Sequence, residues 1–169
     1  MTEVDHANMH ETLSERLFPR QVDNTYTGSK IALWVFAFVI TIRAIQSIMI
    51  MVNGYSIAQS ADGIPLESYP AAAAQTIVAI FALSSLNRLI ISLIGAVVLI
   101  RYRGAVPLMF VVLGLTYLGT QLVTRFIPIV RVGTPPGVIM NRVLIGLTLV
   151  GLLLSLWQRR TTRHLIAAN

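Results

Sequence analysis

The chain has 169 residues, of which 55% are hydrophobic and 12% are charged, and it contains no cysteine. Soluble domains carry about 25% charged residues, so this composition excludes an ordinary soluble protein and favours lipid as the surrounding solvent. The lack of cysteine excludes disulfides and thiolate metal ligands, and the net charge of +6 comes without a nucleic-acid-binding motif, so we expect no nucleic-acid partner.

The first 30 residues form a polar segment that holds five of the seven acidic residues. An amphipathic helix is predicted at about residues 12–18, where Leu13, Leu17 and Phe18 share one side and suit a membrane interface. Pro19 ends this helix. No apolar segment of the signal-peptide type precedes residue 31, so we expect no cleaved signal peptide.

Four long apolar runs predict an all-α integral membrane protein built as a four-transmembrane-helix bundle. The predicted spans are residues 31–52, 76–100, 105–127 and 138–158, followed by a basic tail at 159–169. The runs are unbroken, whereas barrel strands alternate over about ten residues. A helix also satisfies its own backbone hydrogen bonds, which lipid cannot do. The short turn at residues 101–104 predicts that the second and third helices are antiparallel neighbours.

The distribution of basic residues predicts the orientation. With the N-terminus inside, eight basic residues lie on the inner side and two on the outer side, which is the positive-inside bias. The inner set is Arg16, Arg20, Lys30, Arg101, Arg103, Arg159, Arg160 and Arg163, and the outer set is Arg125 and Arg131. We expect a multi-pass protein of the cell membrane, a bacterial inner membrane, with both termini cytoplasmic and anionic lipid at its basic edges.

A weak repeat relates the two halves of the apolar region. Residues 87–91 resemble residues 141–145, and a Thr–Gln pair five residues apart occurs at positions 41 and 46 and at positions 116 and 121. The related helices run the same way, so the hypothesis is a parallel duplication of a two-helix hairpin. Chance similarity between apolar helices is the alternative.

Arginine deep inside the predicted spans is the most informative feature. Arg43 and Arg88 each lie 12 positions from the inner end of their span, which at about 1.5 Å per residue places both roughly 18 Å from the inner boundary. Counting in the same way places Arg142 higher and Arg125 near the outer interface. Each arginine at depth costs about 2.5–3.5 kcal/mol on insertion scales, so such residues usually face the bundle interior.

Polar residues at helical spacing accompany these arginines and predict a cationic core in the outer half of the bundle. On the second helix the predicted inward stripe is Ser84, Arg88 and Ser92. The candidate residues for binding an anion or a lipid headgroup are Arg43, Arg88, Arg125, Arg142, Gln46, Asn87, Tyr117, Gln121 and Asn141.

The counter-charge for this core is not evident, because no Asp or Glu follows Glu67 and none lies inside a span. Three partners are open: backbone carbonyls and side-chain amides, an anionic ligand or lipid headgroup, and acidic groups of another chain. In the structural explanation, each arginine either bonds nearby carbonyls and amides or extends outward to the membrane surface. Intramembrane ionisable residues usually serve function, which favours the anion.

The spans contain none of the side chains that acid–base, metal or proton-coupled chemistry normally uses, since arginine does not release its proton. We therefore expect no enzyme activity, no cofactor and no metal site. Two functions are open. The first is an accessory or scaffold subunit that binds lipid or a larger membrane complex, and the second is an anion-binding permease or channel built as an oligomer.

Overall fold

The computed structural model describes residues 24, 26 and 28–157, and within them all regular structure is helical, as the sequence predicts. The predicted interfacial helix at residues 12–18 and the basic tail at 159–169 lie outside the described residues. The helices are α1 (Lys30–Val52), α2 (Gly54–Ser60), α3 (Ala71–Arg101), α4 (Val106–Phe126) and α5 (Pro136–Leu156), with 3₁₀ turns at Leu66–Ser68 and Arg103–Ala105.

The helices α1, α3, α4 and α5 are each long and apolar enough to cross a membrane. With 23 residues, α1 rises about 34 Å, whereas the 31 residues of α3 rise about 46 Å. A hydrocarbon core measures about 30 Å, so α3 is longer than such a core is thick. The short helix α2, within the segment that the sequence indicates only as a connection, packs beside α3.

Helix α1 lies at the centre of the bundle. It packs along α3 on one side and along α5 on another, while α4 packs mainly on α5. The second and third spans, α3 and α4, are joined by a short turn but contact each other only slightly, and the main neighbour of α4 is α5. The ring of Phe110 on α4 contacts Phe36 of α1 edge-on, with centroids 5.1 Å apart, and lies over Gly151 of α5, so this side chain is in contact with both helices.

Close contacts at small residues set the register of α1 against α3. Gly95 lies against Phe36 and Ile40, and Gly54 at the start of α2 lies against Val78. Since the two long helices are antiparallel, these contacts place Arg43 of α1 opposite the turn of α3 that carries Arg88. The equal heights expected from residue counting therefore agree with the packing.

The two ends of the bundle differ. We call the end formed by Lys30, Arg101 and Leu156 the turn end, and the end formed by residues 53–70 and 127–135 the loop end. At the loop end, Ile64 and Leu66 are buried against the first turns of α3. Backbone hydrogen bonds from Val132 to Gly63 (2.8 Å) and from Gly137 to Ala61 (2.9 Å) tie the two connections together. Gly63 has φ +68°, a conformation that a side chain would strain.

Candidate functional site

Arg43 is the most deeply buried charged side chain of the candidate set. It is 3% exposed, on the face of α1 that carries Phe36 and Ser47. Its Nε and Nη2 atoms are buried and have no hydrogen-bond partner among the described residues. Arg43 therefore neither bonds nearby carbonyls through these atoms nor extends to the surface, which were the two structural explanations for an arginine at this depth.

Tyr117 of α4 covers the guanidinium of Arg43. The Cζ atom of Arg43 lies 4.7 Å from the centroid of the Tyr117 ring, a cation–π contact. The Tyr117 hydroxyl is also buried and has no hydrogen-bond partner in the part of the chain that the structure describes. A desolvated cation–π contact contributes about 2 kcal/mol, whereas each unsatisfied buried donor costs about 1–3 kcal/mol and more when charged. The cation–π contact therefore does not offset the full cost of burying the charged guanidinium of Arg43.

Arg88 brings a second positive charge to the same level. It lies within electrostatic range of Arg43, Tyr117 and Asp62. Two guanidinium groups repel each other, and this repulsion is stronger in a region of low dielectric than in water. Their approach therefore produces a concentrated positive potential between α1, α3 and α4.

Asp62 is a nearby acid that sequence reasoning missed, because it precedes α3 in a connection and belongs to no span. Its Oδ1 atom lies beside Gly137 in the first turn of α5, where the helix dipole favours a negative charge. Burial raises the pKa of Asp62 above its usual range, and the positive charges of Arg131 and Arg88 oppose that rise. Asp62 thus partly offsets the potential of Arg88 from the loop end.

Several buried hydroxyls on these helices already have partners. Ser47 donates to the Arg43 carbonyl (2.7 Å), Ser92 to the Arg88 carbonyl (2.9 Å) and Thr148 to the Leu144 carbonyl (2.7 Å). Their hydroxyl protons are therefore committed to backbone bonds within their own helices. The inward stripe predicted on the second span is corrected in one respect, because Ser84 is exposed and Ser85 is the buried residue.

The remaining candidates occupy different places. Gln46 and Asn141 are half-buried, and Asn87 and Arg125 are exposed. Gln121 and Arg142 are exposed but line, together with Tyr117, a groove of about 440 Å³ between α4 and α5. Five of the nine candidates therefore form two adjoining sets that share Tyr117. The first set is the cluster of buried Arg43, partly buried Arg88 and Tyr117, and the second is the polar part of the groove.

The height of Arg142 differs from the value obtained by residue counting. Gly151 of α5 lies against Val35 of α1, and the backbone N–H of Ser29 donates to the Leu154 carbonyl (3.3 Å). From the Val35–Gly151 contact, Arg43 and Arg142 lie at nearly equal distances toward the loop end. Arg142 is thus at about the level of Arg43, not above it, because α5 reaches the turn end at Leu156, two residues before the predicted end of this span at residue 158.

Comparison of the chain with models of protein families, with curated proteins and with solved structures found no match.

Proposed function

We propose that this chain is a multi-pass membrane protein that binds an anionic group at the cluster of Arg43, Arg88 and Tyr117. The turn end lies in the cytoplasm and the loop end outside, in accordance with the positive-inside bias of the basic residues. The cluster then lies in the outer half of the bilayer. The ligand group is an oxyanion, such as a phosphate or a carboxylate, because planar guanidinium donors match its geometry.

The proposal rests on one observation: Arg43 is buried, and two of its guanidinium nitrogens lack hydrogen-bond partners among the described residues. Buried charges are normally paired and hydrogen-bonded, because an uncompensated charge in a dry environment is costly. A second cation close to Arg43 increases that cost. An oxyanion between the two guanidinium groups removes both penalties at once, and the Tyr117 hydroxyl supplies one more donor.

The test is a binding titration of the purified protein in mild detergent with inorganic phosphate and sulfate. Charge-assisted hydrogen bonds contribute about 1.5–3 kcal/mol each, so Arg43→Gln and Arg88→Gln should each weaken binding about tenfold or more. Arg101→Gln, which removes an exposed arginine at the turn end, is the matched control and should bind as the wild type does. Equal affinities in all four proteins would contradict the proposal.

Transport is separated from binding by a flux assay. Sulfate flux into vesicles that contain the wild-type protein, together with its loss in vesicles that contain Arg43→Gln, supports a permease or channel. Binding without flux supports a protein that holds its anion, as a lipid-binding accessory subunit does.

An accessory or scaffold role in a larger membrane complex is the second candidate, and the exposure of α3 favours it. In the most apolar stretch of α3, 11% of the residues are buried inside the chain, whereas the corresponding share in α1 is 33%. A long helix that packs mainly along one neighbour leaves its other faces to lipid or to a partner. Gentle solubilisation of native membranes followed by mass measurement tests this role, and a lone chain without partner or lipid would count against it.

The orientation is testable because the chain has no native cysteine. Single replacements Ser60→Cys at the loop end and Arg103→Cys at the turn end introduce unique labels at exposed positions. A membrane-impermeant thiol reagent applied to intact cells should label the first variant and leave the second unlabelled. The reverse pattern would overturn the assigned orientation.

A further inference from the structure

We infer that the groove between α4 and α5 binds a phospholipid with an anionic headgroup, whose acyl chain lies along the groove, at a second site that adjoins the anion site proposed above. The groove has a volume of about 440 Å³, within the range of about 300–1,000 Å³ that is typical of ligand sites. Leu118 and Leu149 contribute to its apolar lining.

Glycines keep the groove open. Gly114 of α4 and Gly146 of α5 both line it, and a Cβ atom added at either position meets no described atom within 4 Å. A larger side chain at either glycine would extend into space that is now empty. The width of the groove is thus encoded in these two residues.

The groove is polar at one end and apolar at the other. Gln121 and Arg142 line it toward the loop end, and Gly114 and Leu149 line it toward the turn end. A phospholipid in the outer leaflet has the same order, with its charged head toward the loop end and its chain toward the bilayer centre. The positive charge of Arg142 selects an anionic head over a zwitterionic one.

Tyr117 connects the groove to the buried cation. Its side chain lines the groove and is 6% exposed, its ring contacts the Arg43 guanidinium, and its hydroxyl lacks a partner among the described residues. A phosphate at the polar end of the groove lies beside Arg142 and Gln121. The ring of Tyr117 then lies between this phosphate and the guanidinium of Arg43.

A second copy of the chain is a poorer occupant. A two-fold interface across this groove would bring the Arg142 side chains of both copies close together. Residues 68–169 contain no Asp or Glu, so neither α4 nor α5 offers a carboxylate to separate the two charges. Like charges at an interface are unfavourable, which leaves an anionic lipid as the occupant that suits the groove.

The experiment compares two variants that fill the groove with one that does not. Gly114→Leu and Gly146→Leu place a side chain in the groove. Gly119→Leu, at another α4 glycine where a Cβ meets no described atom within 4 Å, lies outside the groove lining and is the control. Native mass spectrometry of the delipidated proteins measures binding of phosphatidylglycerol and of phosphatidylcholine with the same chains, and a separate titration measures inorganic phosphate.

The expected result is that wild type and Gly119→Leu bind phosphatidylglycerol at least tenfold more tightly than phosphatidylcholine. Gly114→Leu and Gly146→Leu should lose tenfold or more of the phosphatidylglycerol affinity and keep inorganic phosphate binding within twofold, which shows that they are folded. For the wild type alone, dioctanoyl phosphatidylglycerol should bind more tightly than the dihexanoyl form, by tenfold or more.

Two results would overturn the inference. One is phosphatidylglycerol binding that is the same in the groove variants and the control, and the other is a wild-type dimer that Gly146→Leu dissociates. In both cases, phosphate binding that still depends on Arg43 would leave the anion site intact. Phosphate binding that ignores Arg43→Gln would instead remove the proposed function itself.

Discussion

Arg43 and Tyr117 contact each other face-on from two parallel helices, and each carries a buried polar atom without a hydrogen-bond partner among the described residues. The same register that pairs Phe36 with Phe110 one heptad nearer the turn end produces this contact. The ring partly compensates the charge of Arg43 but cannot accept its N–H donors in the plane of the guanidinium. The pair is therefore arranged to receive a further acceptor.

Replacing Arg43 with methionine should stabilise the ligand-free protein. Removing a buried, uncompensated charge in favour of an apolar side chain of similar length raises the free energy of unfolding by about 1–4 kcal/mol. Thermal unfolding of delipidated protein in detergent measures the change, with Arg101→Met as the exposed control. A loss of stability of the same size would show that Arg43 has a structural role.

Tyr117→Phe removes the hydroxyl of Tyr117 and keeps its ring, so it tests the contributions of the two groups separately. The ring contact with Arg43 persists, so the free energy of unfolding should change by less than about 1 kcal/mol. The affinity for phosphate should fall about fivefold, in line with one lost hydrogen bond of about 1 kcal/mol. Calorimetric titration measures the affinity, and Tyr102→Phe at the turn end is the control. Unchanged phosphate affinity would remove the Tyr117 hydroxyl from the site.

Asp62→Asn should strengthen anion binding at neutral pH by about threefold to tenfold, because it removes the negative charge that offsets Arg88. Sulfate is the suitable probe, since its charge is constant between about pH 4 and pH 8. Glu67→Gln, the same charge change at an exposed residue bonded to Gln59 (2.9 Å), is the control. If Asp62→Asn and Glu67→Gln bind sulfate equally, Asp62 has no electrostatic role.

The pH dependence of wild-type binding follows from the raised pKa of Asp62. As pH falls through that pKa, Asp62 becomes neutral and sulfate affinity rises, whereas Asp62→Asn shows no such rise. The folded chain also holds this proton more tightly than the unfolded chain. The contribution of Asp62 to stability is therefore present at low pH and is lost as pH rises through the folded pKa.

Gly151→Ala tests the packing that draws α4 onto α1 and α5. A Cβ atom at this position would overlap the ring of Phe110, and overpacking of this kind costs about 1–3 kcal/mol. The double variant Gly151→Ala with Phe110→Leu should recover part of the loss. Gly119→Ala, where no described atom lies within 4 Å of the new Cβ, should not lower the free energy of unfolding, because alanine is the better helix former. A neutral Gly151→Ala would show that the ring does not fill this space.

Some of the candidate site was predictable from the sequence and some was not. The equal heights of Arg43 and Arg88 follow from the fixed rise of a helix, so residue counting was sufficient. The sequence predicted Ser84 on the inward face, whereas Ser85 is the buried residue. An error of one residue rotates a helix face by about 100°, and an apolar helix gives a weak signal of which face is inward. The groove glycines gave no sequence signal, since they become a feature only when α4 and α5 lie side by side.

The sequence by itself determined that there are four apolar helices and that arginines lie within them without an acid in any span, because hydropathy and helical rise are local properties of the chain. Only the tertiary structure decided which helices are neighbours, that Tyr117 covers Arg43, and that Asp62 approaches Arg88 from the loop end. These are contacts between distant segments. They depend on how Phe110 packs over Gly151 and how the two loop-end connections bond to each other, which no short stretch of sequence specifies.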